Sequence, residues 1–281
     1  MGRGSKPPKS GIVAALLCLV GVLGASLARA ETRVVVWASD YRTASDPNLV
    51  LPNTLVDARA VTDLFRKLKV QDLTFVENPT AEAWNAAIDG LVARLGADDV
   101  AVLYYAGHAV QVNGQNFFLA GDGTTLIASE QVLAPIMARA KGTVFLVDAC
   151  RDNPFKESAA PRPGAAVKIA SGSRAVETLS LDQLSRAQGG LSQMSNLRGR
   201  NTIVLFSTDP GNVALDGPPG KGSPFANAVV RELGRRQSLD AAIRRITEDV
   251  DKASSGRQAP WRQGDLTFPL FLGGQPRFPV P

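Results

Sequence analysis

VAVLYYAGH, at residues 100–108, is the stretch that decides the fold. An apolar run of this length, without polar alternation, is typical of a strand buried on both faces of a parallel sheet. The run is followed by His108, the only histidine of the chain. A second run of the same kind, TVFLV at 143–147, ends three residues before Cys150. Functional groups of doubly wound sheets gather beyond the carboxyl ends of the strands, so both side chains are candidates for the site.

Strand and helix patterns alternate on either side of these two runs. Helical spacing of apolar residues predicts helices, and short apolar runs bounded by turn residues predict strands. The expected strands cover 33–39, 73–76, 100–106, 143–147, 202–207 and 266–272, with a hairpin over 110–119 that turns at Asn113-Gly114. The expected helices cover 53–68, 81–95, 129–140, 224–234 and 239–253. This order predicts an α/β domain, a three-layer α/β/α sandwich around a mostly parallel sheet.

The first 30 residues have the pattern of a secretory signal peptide. Basic residues precede an apolar run from Gly11 to Leu27, and Ala28-Arg29-Ala30 offers a cleavage site that makes Glu31 the first mature residue. The apolar run is long for a signal peptide, so an uncleaved membrane anchor is the alternative. We therefore expect an exported protein, periplasmic or secreted, which is anchored in the membrane if the leader is retained.

The remaining chain is expected to form one domain over 31–275, followed by a tail at 276–281. Inside it, residues 156–200 are rich in Ala, Ser, Gly and Pro and lack periodicity, which predicts a flexible insertion. Without the four basic residues of the leader, 27 basic side chains face 26 acidic ones. A nearly neutral domain gives no reason to expect a nucleic-acid partner, or a stable membrane partner beyond an uncleaved leader.

Removal of the leader also removes Cys18 and leaves Cys150 as the single cysteine, so a disulfide within the chain is excluded. A thiol and an imidazole suffice for acyl transfer, because the imidazole takes the thiol proton and later protonates the leaving amine. A structural role for either residue alone is the alternative. One His and one Cys without CxxC or HxxxH spacing predict no metal site. The GxSxG elbow of serine hydrolases and the GxxxxGK[ST] phosphate loop are both missing.

Several blocks resemble bacterial caspase-like proteins, the metacaspases and their relatives in peptidase family C14. The two longest are YYAGHAVQVNGQNFFLAGD at 104–122 and FLVDACRDNPF at 145–155. The others are VDAR at 56–59, TIVLFSTDPGNVALDG at 202–217, SPF at 223–225 and GRQAPW at 256–261. The spacing of 42 residues between His108 and Cys150 is near the roughly 50 of the caspase signature. The resemblance covers about 33–272 and implies a caspase-like fold.

The resemblance also assigns roles to single residues. Cys150 matches the nucleophile and His108 the general base of a cysteine endopeptidase. The oxyanion donors would be the backbone N–H groups of Cys150 and Ala109. Asp57 and Asp148 match carboxylates of the metacaspase specificity pocket, which implies cleavage of a protein or peptide substrate after Arg or Lys. Caspase-like chains carry a processing loop after the nucleophile, and seven basic residues in 156–200 imply self-cleavage there.

The resemblance implies no required cofactor. Calcium activates some metacaspases, so calcium activation stays open, although the sequence shows no dedicated carboxylate cage for the ion. Two departures from the family pattern support a different function. Ala109 stands where the family usually has glycine, and the first strand reads VVVWASDYR at 34–42. The alternative is therefore a catalytically inactive caspase-like module that binds or regulates other proteins.

Overall fold

The computed structural model describes residues 1–2, 30–112, 114–150, 166–171, 175–180, 194, 197–210, 212 and 214–276. Most of the predicted leader and most of the predicted tail lie outside the described residues, so both stay predictions. The same holds for residues 156–165 of the predicted insertion. Within the described part of the chain, no helix is long and apolar enough to cross a membrane.

A mixed sheet of ten strands organises the described residues. The strands are β1 (Thr32–Ala38), β2 (Asp72–Glu77), β3 (Val100–Val112), β4 (Gln115–Leu119), β5 (Thr125–Ala128), β6 (Gly142–Cys150), β7 (Ala166–Ser171), β8 (Ala175–Ser180), β9 (Thr202–Phe206) and β10 (Trp261–Asp265). Strands β2, β1, β3, β6 and β9 lie side by side and are all parallel, and β10 closes this part of the sheet as an antiparallel edge.

Strand β3 is long enough to belong to two parts of the sheet. Its first half pairs with β1, and its second half pairs with β4 in the predicted hairpin. From β4 the sheet continues through β5 and β7 to β8. The change of partner occurs around His108, so the histidine lies where the two parts of the sheet meet.

Helices cover both faces of the sheet. They are α1 (Thr54–Lys67), α2 (Ala81–Arg94), α3 (Ser129–Met137), α4 (Pro224–Leu233) and α5 (Leu239–Ser254). Side chains of a strand alternate between faces, so Tyr104 packs with α1, α4 and α5, whereas Tyr105 packs with α2 and α3. The two apolar layers confirm the predicted α/β/α sandwich around a mostly parallel sheet.

Two parts of the sheet differ from the sequence-based expectation. The last strand was predicted at 266–272, but the strand that pairs with β9 is Trp261–Asp265, and Leu266, Phe268 and Leu270 instead pack against the core. The sequence of β10, WRQGD, is polar and contains Gly264, so only its pairing with β9 makes it a strand. The predicted flexible insertion contains the hairpin β7–β8, which pairs with β5.

Candidate active site

The two candidate catalytic residues lie on neighbouring parallel strands, His108 within β3 and Cys150 at the end of β6. In the register of β3 and β6, Gly107 lies opposite Ala149 and His108 lies opposite Cys150. Adjacent strands are about 4.8 Å apart, so the backbones of His108 and Cys150 are direct neighbours. The Cys150 side chain lies outside the described parts of the structure. The structure therefore brings the two backbones together, and the catalytic roles of both residues stay predictions.

The His108 imidazole is buried, with 7% of the residue exposed. Its Nε2 lies 2.9 Å from the carbonyl oxygen of Leu49. A carbonyl only accepts hydrogen bonds, so we assign the proton of the neutral ring to Nε2. Among the described residues, Nδ1 has no hydrogen-bond partner. The arrangement leaves Nδ1 as an unprotonated nitrogen that can accept a proton.

Burial lowers the pKa of His108 to about 4, against a smaller opposing effect of the hydrogen bond to the Leu49 carbonyl. The imidazole is therefore neutral near pH 7, the state that a general base requires. Leu49 ends a short 3-10 helix, Pro47–Leu49, which the Asp46 side chain caps through the Asn48 N–H. Sequence reasoning missed this contact, because a backbone carbonyl has no residue-type signal.

Ala109, the second predicted oxyanion donor, is fully buried and lies opposite Phe118 in the ladder of β3 and β4. Its methyl group is part of the apolar layer that also holds Tyr105 and Phe118. Ala109 thus directly follows His108 in the strand, at the position the resemblance implies. The oxyanion role of its N–H, and of the Cys150 N–H, stays a prediction.

The two predicted pocket carboxylates meet at Ser223, the N-cap of α4. The Ser223 N–H donates to Asp57 Oδ1 at 2.8 Å, and its hydroxyl donates to Asp148 Oδ2 at 2.6 Å. The Tyr104 hydroxyl also donates to Asp148 Oδ2, at 3.1 Å. Asp57 and Asp148 are 2% and 8% exposed, so both carboxyl groups are inside the protein. The structure brings together two residues that are 91 positions apart in the chain.

A third carboxylate, Asp216, lines the same small pocket, together with Thr54, Ala106 and Gly107. Burial, and then the Asp148 charge, raise the pKa of Asp57 to about 8. Burial also raises the pKa of Asp148 to about 6, and it raises the pKa of Asp216. Sequence reasoning missed Asp216, although it belongs to the block ALDG within the caspase-like resemblance.

None of these three carboxylates has an ion pair with a Lys or Arg of the described chain. Buried carboxylates without a cation favour their protonated forms, or a cation that arrives from outside. The pocket lies next to Gly107, one residue from His108. Its chemistry therefore suits a basic side chain beside the reacting bond.

Two buried amides, Asn53 and Gln258, hold the loop that carries Asp216. The Asn53 side chain donates to three successive carbonyl groups, those of Asp216, Gly217 and Pro218, and accepts from the N–H of Gly220. The Gln258 side chain donates to Ser207 O at 2.7 Å and accepts from Leu215 N at 3.0 Å. Sequence reasoning missed both, though Gln258 lies in the quoted block GRQAPW. The loop is thus fixed by side chains from distant parts of the chain.

A metal site is not formed by the described residues, which contain no group of three or more His, Cys, Asp or Glu side chains suited to one ion. The three carboxylates line one pocket, and Ser223, which lines it too, already bonds to two of them, Asp57 and Asp148. Calcium activation therefore has no specific ligand set in this part of the chain, and it stays an open question for experiment.

Comparisons with known proteins agree with this geometry. The family model described as caspase domain, peptidase C14, matches residues 34–271. A solved structure, caspase-1 from Spodoptera frugiperda, shares the fold with a TM-score of 0.58 and 16% identity, over 89% of this chain and 92% of that one. No curated protein sequence matches. The match over most of the chain shows that this protein belongs to the caspase-domain family C14, whose members are cysteine peptidases.

Proposed function

We propose that this protein is an exported cysteine endopeptidase that cleaves protein or peptide substrates after Arg or Lys. The observation that carries the proposal is the pocket of three carboxylates, Asp57, Asp148 and Asp216, beside His108. A guanidinium or ammonium group would supply the positive charge that these buried groups lack and would form charge-assisted hydrogen bonds with them. Nucleic acid and membrane surfaces are not part of the proposed activity.

In the proposed mechanism the Cys150 sulfur attacks the carbonyl carbon of the scissile peptide bond. The thiol proton moves to Nδ1 of His108, while Nε2–H stays bonded to the Leu49 carbonyl. The C–N bond breaks as this proton passes to the leaving amine, which leaves an acyl group on sulfur. Water then attacks the thioester, with His108 again as base, and releases the acid product and the thiol. The N–H groups of Cys150 and Ala109 are proposed to bind the oxyanion.

The test uses fluorogenic peptides that differ only in the residue before the cleaved bond: Arg, Lys, Gln and Asp. We expect cleavage of the Arg and Lys peptides, no cleavage by Cys150→Ala, and a rate at least about 100-fold lower for Gln, because it fills the pocket without the charge. Preferred cleavage of the Asp peptide would contradict the proposed specificity. Each assay is run with calcium and with a chelator, because the described residues do not show whether calcium activates the protein.

The alternative function is an inactive caspase-like module that binds or regulates partners, and Ala109 in place of glycine supports it. Absence of cleavage across pH 5–9, with and without calcium, in a protein whose Cys150 still reacts with a thiol reagent would favour this alternative. The proposed self-cleavage in 156–200 is tested in the same preparations. Cys150→Ala protein that is still cut at the same sites when purified alone would rule it out.

Export is tested separately from catalysis. N-terminal sequencing of the protein recovered from outside the cytoplasm should give Glu31 as the first residue, since Ala28-Arg29-Ala30 fits the specificity of signal peptidase. Recovery of an intact chain in the membrane fraction would instead support the uncleaved anchor.

A further inference from the structure

Two residues of β3 lack a neighbouring strand on one edge, at the point where the sheet divides. The ladder of β1 with β3 ends at the pair Ala38 and Ala106, and the ladder of β4 with β3 begins at Ala109 and Phe118. Between these ladders lie Gly107 and the candidate base His108. Buried backbone N–H and C=O groups need hydrogen-bond partners, so the groups on this edge must bond to something other than a strand.

Two buried tyrosine hydroxyls take the place of the missing strand. The His108 N–H donates to the Tyr41 hydroxyl oxygen at 3.0 Å, and the Tyr105 hydroxyl donates to the His108 carbonyl at 2.6 Å. The two hydroxyl oxygens are 3.1 Å apart, and Tyr41 donates its own proton to the Leu119 carbonyl at 2.9 Å. Both backbone groups of His108 are therefore held by side chains, which we call the tyrosine pair (Tyr41 and Tyr105).

The tyrosine pair also constrains the imidazole ring. The Tyr41 ring lies 4.9 Å from the imidazole, centroid to centroid. With the backbone held by the hydroxyls and Nε2 held by Leu49, the ring contacts Tyr41 on one side and has only Nδ1 left without a partner among the described residues. The hydroxyls thus hold the strand from which the imidazole projects, and the Leu49 carbonyl and the Tyr41 ring hold the imidazole itself.

Two costly features of the backbone accompany this arrangement. Tyr41 has a φ of 57°, a conformation that is unfavourable for a residue with a side chain. Gly107 has no room for a Cβ, which would lie 2.5 Å from the Tyr105 hydroxyl oxygen and 2.7 Å from that of Tyr41. A merely apolar contact at these two positions would require neither feature.

We infer that Tyr41 and Tyr105 are positioning residues, which hold the His108 backbone and imidazole so that Nδ1 stays available as the proton acceptor. The inference rests on the proposed function, since it assigns a purpose to the orientation of His108. It concerns the hydroxyl groups, not the rings, so Tyr→Phe variants remove the proposed effect and keep the packing volume. The chain has three tyrosines, and the third, Tyr104, bonds to Asp148 instead and supplies a matched control variant.

The experiment uses the single histidine as a reporter. In the full chain labelled with ¹⁵N-histidine, the imidazole signals of His108 should show one tautomer, with the proton on Nε2. In Tyr41→Phe and Tyr105→Phe we expect averaged or doubled signals, because the His108 backbone loses a contact that keeps Nε2 in place against the Leu49 carbonyl. With an Arg peptide, kcat should fall about 10- to 100-fold with KM within about threefold, since misplacement of a catalytic group affects the chemical step. Tyr104→Phe should change KM and leave the imidazole signals unchanged.

Gly107→Ala provides a second perturbation if a tyrosine variant fails to fold, because its methyl group must displace the two hydroxyls and should produce the same imidazole signature. Unchanged imidazole signals and unchanged kcat in the Phe variants would overturn the inference, as would a loss of stability alone. A wild-type protein that cleaves no peptide would contradict the proposed function. The imidazole signals would still decide whether the tyrosine pair orients the ring.

Discussion

Asp57→Asn should make the free protein more stable above neutral pH while it weakens the binding of basic substrates. Asp57 is 2% exposed, and burial together with the Asp148 charge raises its pKa to about 8. An acid whose pKa is higher in the folded state binds more protons when folded. Its contribution to stability is complete below the pKa of the unfolded chain, near 4, and is lost as the pH rises through about 8.

The size of the effect follows from the pKa difference. Each pKa unit corresponds to about 1.4 kcal/mol, so the rise from an ordinary value near 4 to about 8 corresponds to roughly 5 kcal/mol lost between those pH values. Asparagine has no charge to bury and keeps an Oδ1 atom for the Ser223 N–H. We therefore expect Asp57→Asn to exceed the wild type by roughly 2–5 kcal/mol in the free energy of unfolding at pH 8. The difference should shrink steadily toward pH 5 and vanish below about pH 4.

Urea unfolding at pH 5, 6, 7 and 8 measures this difference. The matched control is Asp63→Asn on the same helix, whose side chain is 58% exposed and pairs with Arg66. A surface pair of this kind contributes about 0.5 kcal/mol or less, so the control should differ little from the wild type. A wild-type protein that gains stability from pH 5 to 8 relative to Asp57→Asn would refute the reasoning. In the peptide assay, the same variant should raise KM for Arg substrates about 10- to 100-fold, because it removes one carboxylate partner of the basic side chain.

Three further predictions concern other contacts. Asn53→Ala should lower the free energy of unfolding by about 2–4 kcal/mol, since it removes the four hydrogen bonds of a buried side chain to the 216–220 loop. Urea unfolding measures this change, and an unchanged midpoint would contradict it. Asp216→Asn should raise KM for Arg peptides less than Asp57→Asn does, because Asp216 is only half-buried; an equal or larger rise would contradict this order. A chain that begins at Glu31 with a free amine should unfold at a higher temperature than its acetylated form, because the Glu31 nitrogen lies 2.9 Å from an Asp99 carboxylate oxygen and the amine adds a positive charge. Equal melting temperatures would contradict a stabilising effect of this charge.

The central part of the fold could be predicted because its signal is local. β3 and β6 are buried on both faces, and an uninterrupted apolar run is the direct consequence of that burial. β10 could not be predicted, because WRQGD becomes a strand only through its pairing with β9. The hairpin β7–β8 is of the same kind, since it lies at the end of the sheet and depends on β5 for its position.

In the candidate site, too, some residues could be predicted from the sequence and others could not. His108 and Cys150 were predictable because each is a rare residue type that follows a recognisable apolar run, and the two runs form neighbouring parallel strands. Leu49 was not predictable, because its contribution is a carbonyl group. Tyr41 was hidden for a similar reason: its hydroxyl reaches His108 only because the backbone adopts a positive φ. Residue type identifies chemistry in a sequence, but contacts made through the backbone require the folded chain.

The acidic pocket lowers the stability of the protein, and the apolar layers offset this cost. Unpaired buried carboxylates destabilise a protein, and Asp57 and Asp148 lie among fully buried parts of α1 and β6. They are tolerated because the two apolar layers bury most of the sheet on both faces. A basic substrate would reverse this local cost, since its charge stabilises the ionised carboxylates. A basic substrate should therefore bind to the form of the protein in which Asp57 is ionised, and its binding should release protons to solution. As a result, KM for Arg peptides should fall as the pH rises from 6 to 8.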